Sequence, residues 1–242
     1  MIKTILFFAG FILRLIGTVP ELLKARGLVK EGKDKEAFLI GAKVGQRFGN
    51  AALKSTGGEF IVEGLENIPD ENCVFIGNHQ SDFDIALMLA LANKPLGFVA
   101  KKEMKKVPIL REWMEILKCS FMDRESPRKS MEAIVEAIDS VKKGYTLVIY
   151  PEGTRNKGYL DLEFKPGSFK LATKPGAVLV PVVVEGSYKL FEANNKRIKP
   201  AKVKLKFLEA INTKALSKEE LEKLPSKVEA LIKDEVLRLR EN

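Results

Sequence analysis

The sequence contains few of the side chains that hold metal ions or form disulfides. Its 242 residues include one histidine, His79, and two cysteines, Cys73 and Cys119. Each cysteine lies in a short apolar run, which is typical of a small buried side chain rather than of a disulfide framework. One histidine and two cysteines are too few for a typical zinc site. We therefore expect no metal and no bound cofactor.

The apolar run near the start of the sequence is too short to span a membrane. Residues 5–13 are all apolar or glycine. A helix of that length rises about 14 Å, against a hydrocarbon core of about 30 Å. No small-residue cleavage site follows, so we do not expect a signal peptide. Pro20 lies between Thr18 and Glu21, and this pattern predicts that a second helix starts there with a capping box.

The first part of the chain carries much of its positive charge. Residues 1–60 contain ten basic and five acidic side chains, a net of +5 out of +9 for the whole chain. Apolar side chains flanked by lysine and arginine suit two helices that lie in one leaflet of an anionic membrane. We predict a helical membrane-anchoring element over residues 1–57, followed by an α/β domain over residues 58–242. The alternative is that the first helix packs on the protein's own core.

The remainder of the sequence has the pattern of one α/β domain. Apolar runs of strand length alternate with amphipathic stretches, which predicts a single mixed, largely parallel sheet flanked by helices. Several runs are apolar throughout, as strands buried on both faces are. The predicted strands are "EFIVEG", "NCVFIGN", "LGFVAK", "CSFMD", "YTLVIYPE", "AVLVPVVVEG" and "KVKLKFLEA". The predicted helices begin near Ser81, Pro108, Ser126, Ser168 and Ser217.

Two local patterns predict finer detail near the C-terminus. Lys202, Lys204 and Lys206 alternate with apolar residues, which favours an edge strand whose lysines face water. Pro225 interrupts the last helical stretch, so we expect a kink there or a helix in two pieces.

The segment "GNHQSDFD" places His79 five residues before Asp84. On a continuous helix this spacing leaves the two side chains about 140° apart, and on a strand it sends them to opposite faces. They can meet only if the backbone turns, and a strand pattern before His79 gives way to a helix pattern with Ser81 as its N-cap. The pair is then a general base and its orienting carboxylate. The alternative is a buried histidine and an aspartate that serves only the helix terminus.

Four segments, in order, resemble the sequence blocks of the glycerolipid acyltransferases, the family that includes lysophosphatidic acid acyltransferase. They are "NHQSDFD", similar to the HX4D signature, then "FMDR", "YPEGTRN" and "VLVPVVVEGS", and "AKKEMKKVP" resembles the family's lysine-rich segment. Together they cover roughly residues 75–187. The sequence departs from the family pattern at Tyr150, where phenylalanine is usual, at Asn156, where serine is common, and at Lys118, where glycine often precedes the second block.

The resemblance implies direct transfer of an acyl chain from a thioester to a glycerophosphate hydroxyl. In this reaction His79 would take the hydroxyl proton while Asp84 holds the Nδ1 proton, and no covalent enzyme intermediate is required. Backbone amides around Gly153 or after Ser81 are the candidate donors to the developing oxyanion.

The resemblance also implies a set of substrate-binding residues. Arg124 and Arg155 would bind the acceptor's phosphate, with Lys101 or Lys102 as a helper. Glu152 would position glycerol or an arginine. The block "YPEGTRN" adds Gly153 and Thr154 to the substrate-binding set, and Pro181 would shape the groove for the acyl chain or its donor.

These observations predict a monotopic 1-acylglycerol-3-phosphate acyltransferase at the cytoplasmic face of the cell membrane. Its expected partners are lysophosphatidic acid, an acyl carrier protein or coenzyme A thioester, and an anionic membrane surface, with no nucleic acid. Its product would be phosphatidic acid. The alternatives are an acyltransferase for glycerol 3-phosphate or another lysophospholipid, a hydrolase that releases fatty acid, and a membrane-bound binding protein without catalysis.

Overall fold

A mixed sheet of eight strands forms the centre of the molecule. The computed structural model describes residues 2–123, 125–161 and 163–241. Seven strands follow the order β1-β7-β6-β2-β5-β3-β4, and β8 pairs with β6. The strands are β1 (Glu59–Glu63), β2 (Cys73–Gly77), β3 (Gly97–Lys101), β4 (Ser120–Met122), β5 (Leu147–Ile149), β6 (Val178–Glu185), β7 (Lys202–Phe207) and β8 (Ile211–Asn212). Five pairings are parallel, and only β6 with β7 and with β8 is antiparallel. The predicted fold class is confirmed.

Eight α-helices accompany the sheet within the described residues. They are α1 (Ile2–Gly17), α2 (Val19–Lys30), α3 (Asp34–Thr56), α4 (Phe83–Leu91), α5 (Pro108–Ile116), α6 (Pro127–Lys142), α7 (Lys170–Thr173) and α8 (Lys218–Glu241). The prediction of two N-terminal helices missed α3. Helix α6 begins beside Ser126 as predicted, and Ser126 is its N-cap, because its hydroxyl accepts the amide hydrogen of Lys129 at 3.4 Å.

The residues of β2 explain why its sequence is apolar throughout. Cys73 and Phe75 belong to a core cluster that includes residues of α3 and α4. Val74 and Ile76 belong to a second cluster on the opposite face, with residues of α6, α7 and α8. Both faces of the central strand are therefore buried, and no polar position is tolerated along it.

Helix α1 packs on the core along one side only. The ring of Phe7 lies 5.6 Å from that of Phe83, and the ring of Phe11 lies 4.7 Å from that of Phe48. The opposite side leaves apolar side chains exposed: Ile2, Ile5, Leu6, Phe8, Ile12, Leu13 and Ile16. No single helix in the described part of the chain is long and apolar enough to cross a bilayer, although α1 and α2 together reach that length with a 44° bend between them.

The predicted capping box at the start of α2 does not form. Thr18 donates its hydroxyl hydrogen to the carbonyl of Leu15 at 2.7 Å and accepts the indole hydrogen of Trp113 at 2.8 Å. Its hydroxyl is thereby engaged with α1 and α5 rather than with α2, and Glu21 pairs with Arg47 instead.

The prediction that β7 is an edge strand is wrong. β7 lies between β1 and β6 because β1 pairs with its outer side in parallel. The lysines bind neighbouring elements: Lys204 Nζ donates to the carbonyl of Leu239 at 2.8 Å, and Lys206 Nζ lies 3.0 Å from Glu235 and 3.3 Å from Glu63. Lys206 thus makes ion pairs with β1 and α8, and Lys204 makes a hydrogen bond to the backbone of α8.

At Pro225 we expected a kink or a helix in two pieces, and the second alternative is wrong, because α8 runs unbroken from Lys218 to Glu241. A kink at Pro225 stays a prediction. Leu224 and Val228, on either side of the proline, are both buried in the cluster that faces the sheet. Packing on both sides holds the helix together although the proline removes one backbone hydrogen bond.

Candidate active site

The candidate catalytic residues follow two strands that are neighbours in the sheet. His79 comes two residues after β2, and Tyr150 comes directly after β5, which pairs with β2 in parallel. The carboxyl ends of parallel strands lie at one edge of a sheet, where α/β proteins bind ligands. The topology therefore brings the segments 78–84 and 150–156 together.

His79 and Asp84 meet across the turn between β2 and α4. Nδ1 of His79 lies 2.7 Å from Oδ2 of Asp84. A carboxylate can only accept a hydrogen bond, so Nδ1 carries the proton and the lone pair of Nε2 is left for another partner. No group in the described ranges binds Nε2. The histidine side chain is 15% exposed and the aspartate side chain 0%. His79 is therefore accessible to solvent, whereas Asp84 is fully buried.

The carboxylate of Asp84 is held by three further donors. Oδ2 accepts the amide hydrogens of Gln80 at 2.7 Å and Ser81 at 2.9 Å, and Oδ1 accepts the hydroxyl hydrogen of Ser187 at 2.5 Å. Four donors to one buried carboxylate offset the cost of removing its charge from water. These bonds also fix the orientation of the carboxylate, and so the orientation of the His79 ring that donates to it.

The turn itself differs from the prediction at Ser81. Helix α4 begins at Phe83, and Asp82 occupies the cap position without a capping side-chain bond. The hydroxyl of Ser81 accepts the amide hydrogen of Phe83 at 3.1 Å and donates to Oε2 of Glu192 at 2.7 Å. Ser81 therefore ties the start of α4 to a distant acidic residue.

The segment 150–156 binds both the backbone amide and the backbone carbonyl of His79. Oε1 of Glu152 accepts the amide hydrogen of His79 at 2.8 Å, and the amide of Asn156 donates to the carbonyl of His79 at 2.7 Å. Asn156 Nδ2 in turn donates to Oε1 of Glu152 at 2.9 Å. Glu152 was expected to position glycerol or an arginine. Its bonds go to His79 and Asn156 and not to an arginine, and a role in positioning glycerol stays a prediction.

Burial raises the pKa of Glu152 to about 7, and the nearby charge of Asp84 acts in the same direction. The side chain is buried, and Oε2 has no hydrogen-bond partner in the described part of the chain. Since the folded state binds this proton more tightly than the unfolded state, the group's contribution to stability is lost as pH rises from about 4.5 through about 7.

Glu152→Gln is therefore expected to change the free energy of unfolding more favourably at pH 8 than at pH 5. The difference between the effects of the substitution at the two pH values is expected to be about 1–3 kcal/mol. Glutamine cannot ionise, so it escapes the cost of a buried charge at high pH. Urea unfolding at both pH values measures this. Glu66→Gln, which changes an exposed glutamate, is the matched control, and an equal effect of Glu152→Gln at both pH values would contradict the assignment.

Arg155 lies beside the start of α4 and is paired with two carboxylates. Its Nη1 contacts Oδ2 of Asp82, and lies 3.1 Å from Oε1 of Glu192. The Asp82 side chain is 66% exposed, whereas that of Glu192 is 7% exposed. Thr154 is exposed. Sequence reasoning missed Glu192, because nothing in the local pattern relates it to residues 37 and 110 positions away.

The lysine-rich segment is engaged with acidic side chains after β4. Lys102 Nζ lies 2.9 Å from Asp123 and 2.9 Å from Glu125, and hydrogen bonds to these two carboxylates raise the pKa of Lys102. Lys101, at the end of β3, is exposed. Among the residues that the structure describes, neither lysine bonds to His79 or to the segment 150–156. Arg124 lies outside the described residues.

Pro181 lies inside the sheet and not at a strand edge. It belongs to β6 and pairs with Ile76 of β2, while its carbonyl accepts the amide hydrogen of Leu208 at 2.9 Å. Proline has no amide hydrogen, and the nitrogen of Pro181 faces the same side of β6 as its carbonyl. On that side the partner of β6 changes from β8 to β7, so no hydrogen bond of the sheet is lost there. This burial gives no support for a groove-lining role.

The backbone amides named as oxyanion donors are already used. The amide of Gly153 donates to the carbonyl of Tyr150 at 3.0 Å, and those of residues 80–84 bond within the turn or to Glu192. The amides of Thr154 and Arg155 have no partner within residues 2–123, 125–161 and 163–241. They are two residues and one residue before Asn156, whose amide donates to the carbonyl of His79.

A comparison of the chain with known protein families agrees with the order of the four blocks and with the geometry around His79. A model of the family described as Acyltransferase matches residues 59–185, which is more than half of the sequence. The chain belongs to this acyltransferase family. The match spans β1 to β6 and includes the His79–Asp84 pair and the segment 150–156.

Named relatives and a solved structure are similar to this acyltransferase. A chloroplastic 1-acyl-sn-glycerol-3-phosphate acyltransferase, BAT2 of Brassica napus, is 32% identical over 57% of this chain and 40% of its own length. One from Borreliella burgdorferi is 33% identical over 59% of this chain and 58% of its own length. The chain thus spans about two fifths to three fifths of these relatives. The crystal structure of the 1-acyl-sn-glycerophosphate (LPA) acyltransferase PlsC from Thermotoga maritima is 30% identical, with a TM-score of 0.75, over 95% of this chain and 98% of that one.

Three departures from the family pattern have a visible structural consequence in this acyltransferase. The ring of Tyr150 stacks on that of His79 at 4.3 Å and 12°, and its buried hydroxyl has no partner in the described ranges. Burial raises the pKa of Tyr150. The side chain of Asn156 adds the bond from Nδ2 to Glu152, whereas its bond to His79 comes from the backbone amide. Lys118 has a φ of 55°, a left-handed conformation that glycine adopts without strain.

Among the described residues of this acyltransferase, no three or more His, Cys, Asp or Glu side chains are grouped to hold a metal ion. The two cysteines are free and buried. Burial raises the pKa of each to about 12, so neither is a reactive thiolate at neutral pH.

Proposed function

We propose that this acyltransferase moves a fatty acyl chain from a thioester to the sn-2 hydroxyl of 1-acylglycerol 3-phosphate and so forms phosphatidic acid. The observation that carries the proposal is the 2.7 Å contact between His79 Nδ1 and Asp84 Oδ2, which leaves Nε2 available at an accessible strand end. The names of the relatives, which say that those proteins act on this lysolipid, support the choice of acceptor.

The proposed mechanism is general-base catalysis. As the acceptor's oxygen attacks the thioester carbonyl, its proton passes to Nε2 of His79, and the imidazolium is stabilised by Asp84. The tetrahedral intermediate then collapses, the carbon–sulfur bond breaks, and the leaving thiolate takes the proton from Nε2. The products are an ester and a thiol. No acyl group is attached to the enzyme at any step.

The developing oxyanion needs hydrogen-bond donors close to His79. The amides of Thr154 and Arg155 suit this role, because their hydrogens are not used within the part of the chain that the structure describes. The guanidinium of Arg155, beside the same turn, suits the acceptor's phosphate. Arg124, Lys101 and Lys102 are further candidate cations for that phosphate or for the donor.

A panel of acceptors tests the proposed substrate. Purified protein in detergent would be given 1-acylglycerol 3-phosphate, glycerol 3-phosphate or lysophosphatidylcholine, each with acyl carrier protein and coenzyme A thioesters. We expect kcat/KM to be at least tenfold higher for 1-acylglycerol 3-phosphate than for the other two. A preference for either of the others would replace the acceptor assignment, and the two thioesters identify the donor in the same experiment.

We further propose that α1 seats the protein on the cytoplasmic face of the cell membrane. Its exposed apolar residues lie on the side turned away from α3 and α4, and Lys3 and Arg14 lie near its two ends. The helix would then lie in one leaflet, and the site at the adjacent sheet edge would meet acceptors that are lipids.

Leu6→Glu combined with Leu13→Glu is expected to weaken binding to vesicles that contain anionic lipid at least tenfold. Both leucines are exposed and lie on one face of α1. Each apolar side chain that enters the membrane contributes about 1.5–3 kcal/mol. Leu231→Glu with Leu237→Glu, two exposed leucines of α8, is the matched control. An equal loss in both pairs of variants, or in neither, measured by vesicle sedimentation, would remove α1 from this role.

A further inference from the structure

Glu192 is an acidic residue outside all the family blocks, and its side chain is only 7% exposed. Its carboxylate makes three contacts with the active-site segments. Oε2 accepts the hydroxyl hydrogen of Ser81 at 2.7 Å, and Oε1 accepts the amide hydrogen of Asp82 at 3.0 Å and a guanidinium hydrogen of Arg155 at 3.1 Å. One side chain thus joins the segment that carries His79 and Asp84 to the segment that carries Arg155.

The position of Glu192 is fixed by the packing of the residue before it. The ring of Phe191 lies 6.0 Å from that of Phe8 in α1 and 6.5 Å from that of Phe83 in α4. The amide of Asn194 donates to the carbonyl of Phe191 at 3.1 Å and closes a short turn there. The ring of Phe191 therefore packs against α1 and α4, and this packing limits where the side chain of Glu192 can lie.

The two carboxylates on Arg155 differ in their freedom. Asp82 is mostly exposed and can turn toward water, so its pairing with Arg155 is weak and exchangeable. Glu192 is almost fully buried and is tied to Ser81 and to the backbone of Asp82. Of the two carboxylates, only Glu192 can hold Arg155 in one place.

Both carboxylates contact the same nitrogen of Arg155. Nη1 is occupied, while Nε and Nη2 have no partner within the described residues. The Nε–Nη2 edge of a guanidinium presents two parallel hydrogens and matches the spacing of two phosphate oxygens. An arginine held at Nη1 can therefore donate two parallel hydrogen bonds to a phosphate from its Nε–Nη2 edge.

We infer that Glu192 is a positioning residue for the acceptor's phosphate. It fixes Arg155 through Nη1, so that the Nε–Nη2 edge meets the phosphate while His79 meets the hydroxyl two carbons away. Because Glu192 also binds the start of α4, it adds to the bonds of Glu152 and Asn156 to His79 in fixing the distance between Arg155 and the general base. This inference rests on the proposed function.

The test compares Glu192→Ala, Glu192→Gln and Arg155→Met, alone and combined. We expect Glu192→Ala to raise the KM for 1-acylglycerol 3-phosphate about tenfold while kcat stays within threefold. Glu192→Gln is expected to stay within threefold in KM, because its amide oxygen can take the place of Oε1, which accepts from Asp82 and Arg155, while its amide nitrogen faces the Ser81 hydroxyl, which can accept. In the Arg155→Met background, Glu192→Ala is expected to add less than twofold, since it acts through the arginine. Glu66→Ala, an exposed glutamate, controls for the loss of charge.

Binding measured without turnover separates this inference from the proposed function. Titration calorimetry in neutral detergent would compare 1-acylglycerol 3-phosphate with monoacylglycerol, which lacks the phosphate. We expect wild type to bind the phosphate-bearing lipid at least tenfold more tightly, and both Arg155→Met and Glu192→Ala to lose most of that preference.

The alternative results of these experiments contradict different parts of the proposal. If wild type shows no preference for the phosphate, or Arg155→Met keeps it, the acceptor assignment falls and the inference falls with it. If Arg155→Met loses the preference and Glu192→Ala retains it, only the role of Glu192 falls. Additive effects of Glu192→Ala and Arg155→Met, or a fall in kcat at constant KM, would show that Glu192 merely supports the start of α4.

Discussion

His79→Ala is expected to lower kcat/KM for phosphatidic acid formation at least a thousandfold, about 4 kcal/mol of barrier. An alcohol proton is too weakly acidic to leave at neutral pH, and His79 is the only imidazole in the chain. Its Nε2 is the available base because Nδ1 is committed to Asp84.

The measurement is the rate of phosphatidic acid formation by equal amounts of folded wild type and variant. Circular dichroism melting is the control, since His79 also accepts and donates backbone bonds within the segment 150–156. A folded His79→Ala protein that kept more than a tenth of the activity would show that the histidine is not the base.

Asp84→Asn is expected to lower kcat by about 10²–10⁴, with a smaller effect on the KM for the lysolipid. The amide that replaces one carboxylate oxygen carries hydrogens and would face a donor: His79 Nδ1, the two backbone amides or the hydroxyl of Ser187. The imidazole would lose its fixed tautomer and the stabilisation of its charged form.

The same variant is also expected to lose about 1–3 kcal/mol of stability, because a buried donor is left facing another donor. Urea unfolding measures this beside the kinetics. Asp70→Asn, which changes an exposed aspartate in a loop, is the matched control. A wild-type kcat in Asp84→Asn would contradict the role of Asp84 even if stability fell as expected.

The sequence could predict that His79 and Asp84 meet, because the evidence for the turn between them is local. A buried strand pattern ends just before His79, and a helical pattern begins just after Ser81. The five-residue spacing excludes every arrangement except a change of direction between them. The structure places the pair in contact for this reason.

The role of Glu192 could not be predicted in the same way. It begins a single turn of 3₁₀-helix, Glu192–Asn194, and lies 110 residues from Asp82 and 37 from Arg155. No periodicity relates these positions, and their contact depends on how the chain after β6 returns across the start of α4. The bonds from Glu152 to His79 have the same origin, because they require β2 and β5 to be neighbours.

Helix α3 was missed because glycines interrupt its pattern. Gly41, Gly45 and Gly49 recur at intervals of four, and glycine disfavours a helix by about 1 kcal/mol per residue. In the structure they form one face against which other elements pack closely. A Cβ at Gly49 would lie 2.7 Å from the carbonyl oxygen of Ala86 in α4, so the close approach of the two helices requires glycine there.

The error at β7 has a different cause. A row of alternating lysines describes the polarity of one face and says nothing about which strand lies beside it. β1 precedes β7 by more than 130 residues, and their parallel pairing is set by the path of the whole domain. The domain boundary near residue 57, the location at the membrane and the acyl donor stay predictions.

The most direct measurement of the proposed reaction follows a labelled acyl chain from its thioester. Purified wild-type protein would be given the thioester with and without 1-acylglycerol 3-phosphate, and label would be counted in phosphatidic acid, free fatty acid and protein. We expect phosphatidic acid to account for the thioester consumed, with little consumption when the acceptor is absent. Equal consumption without acceptor, with the label in free fatty acid or on the protein, would contradict direct transfer to the lysolipid.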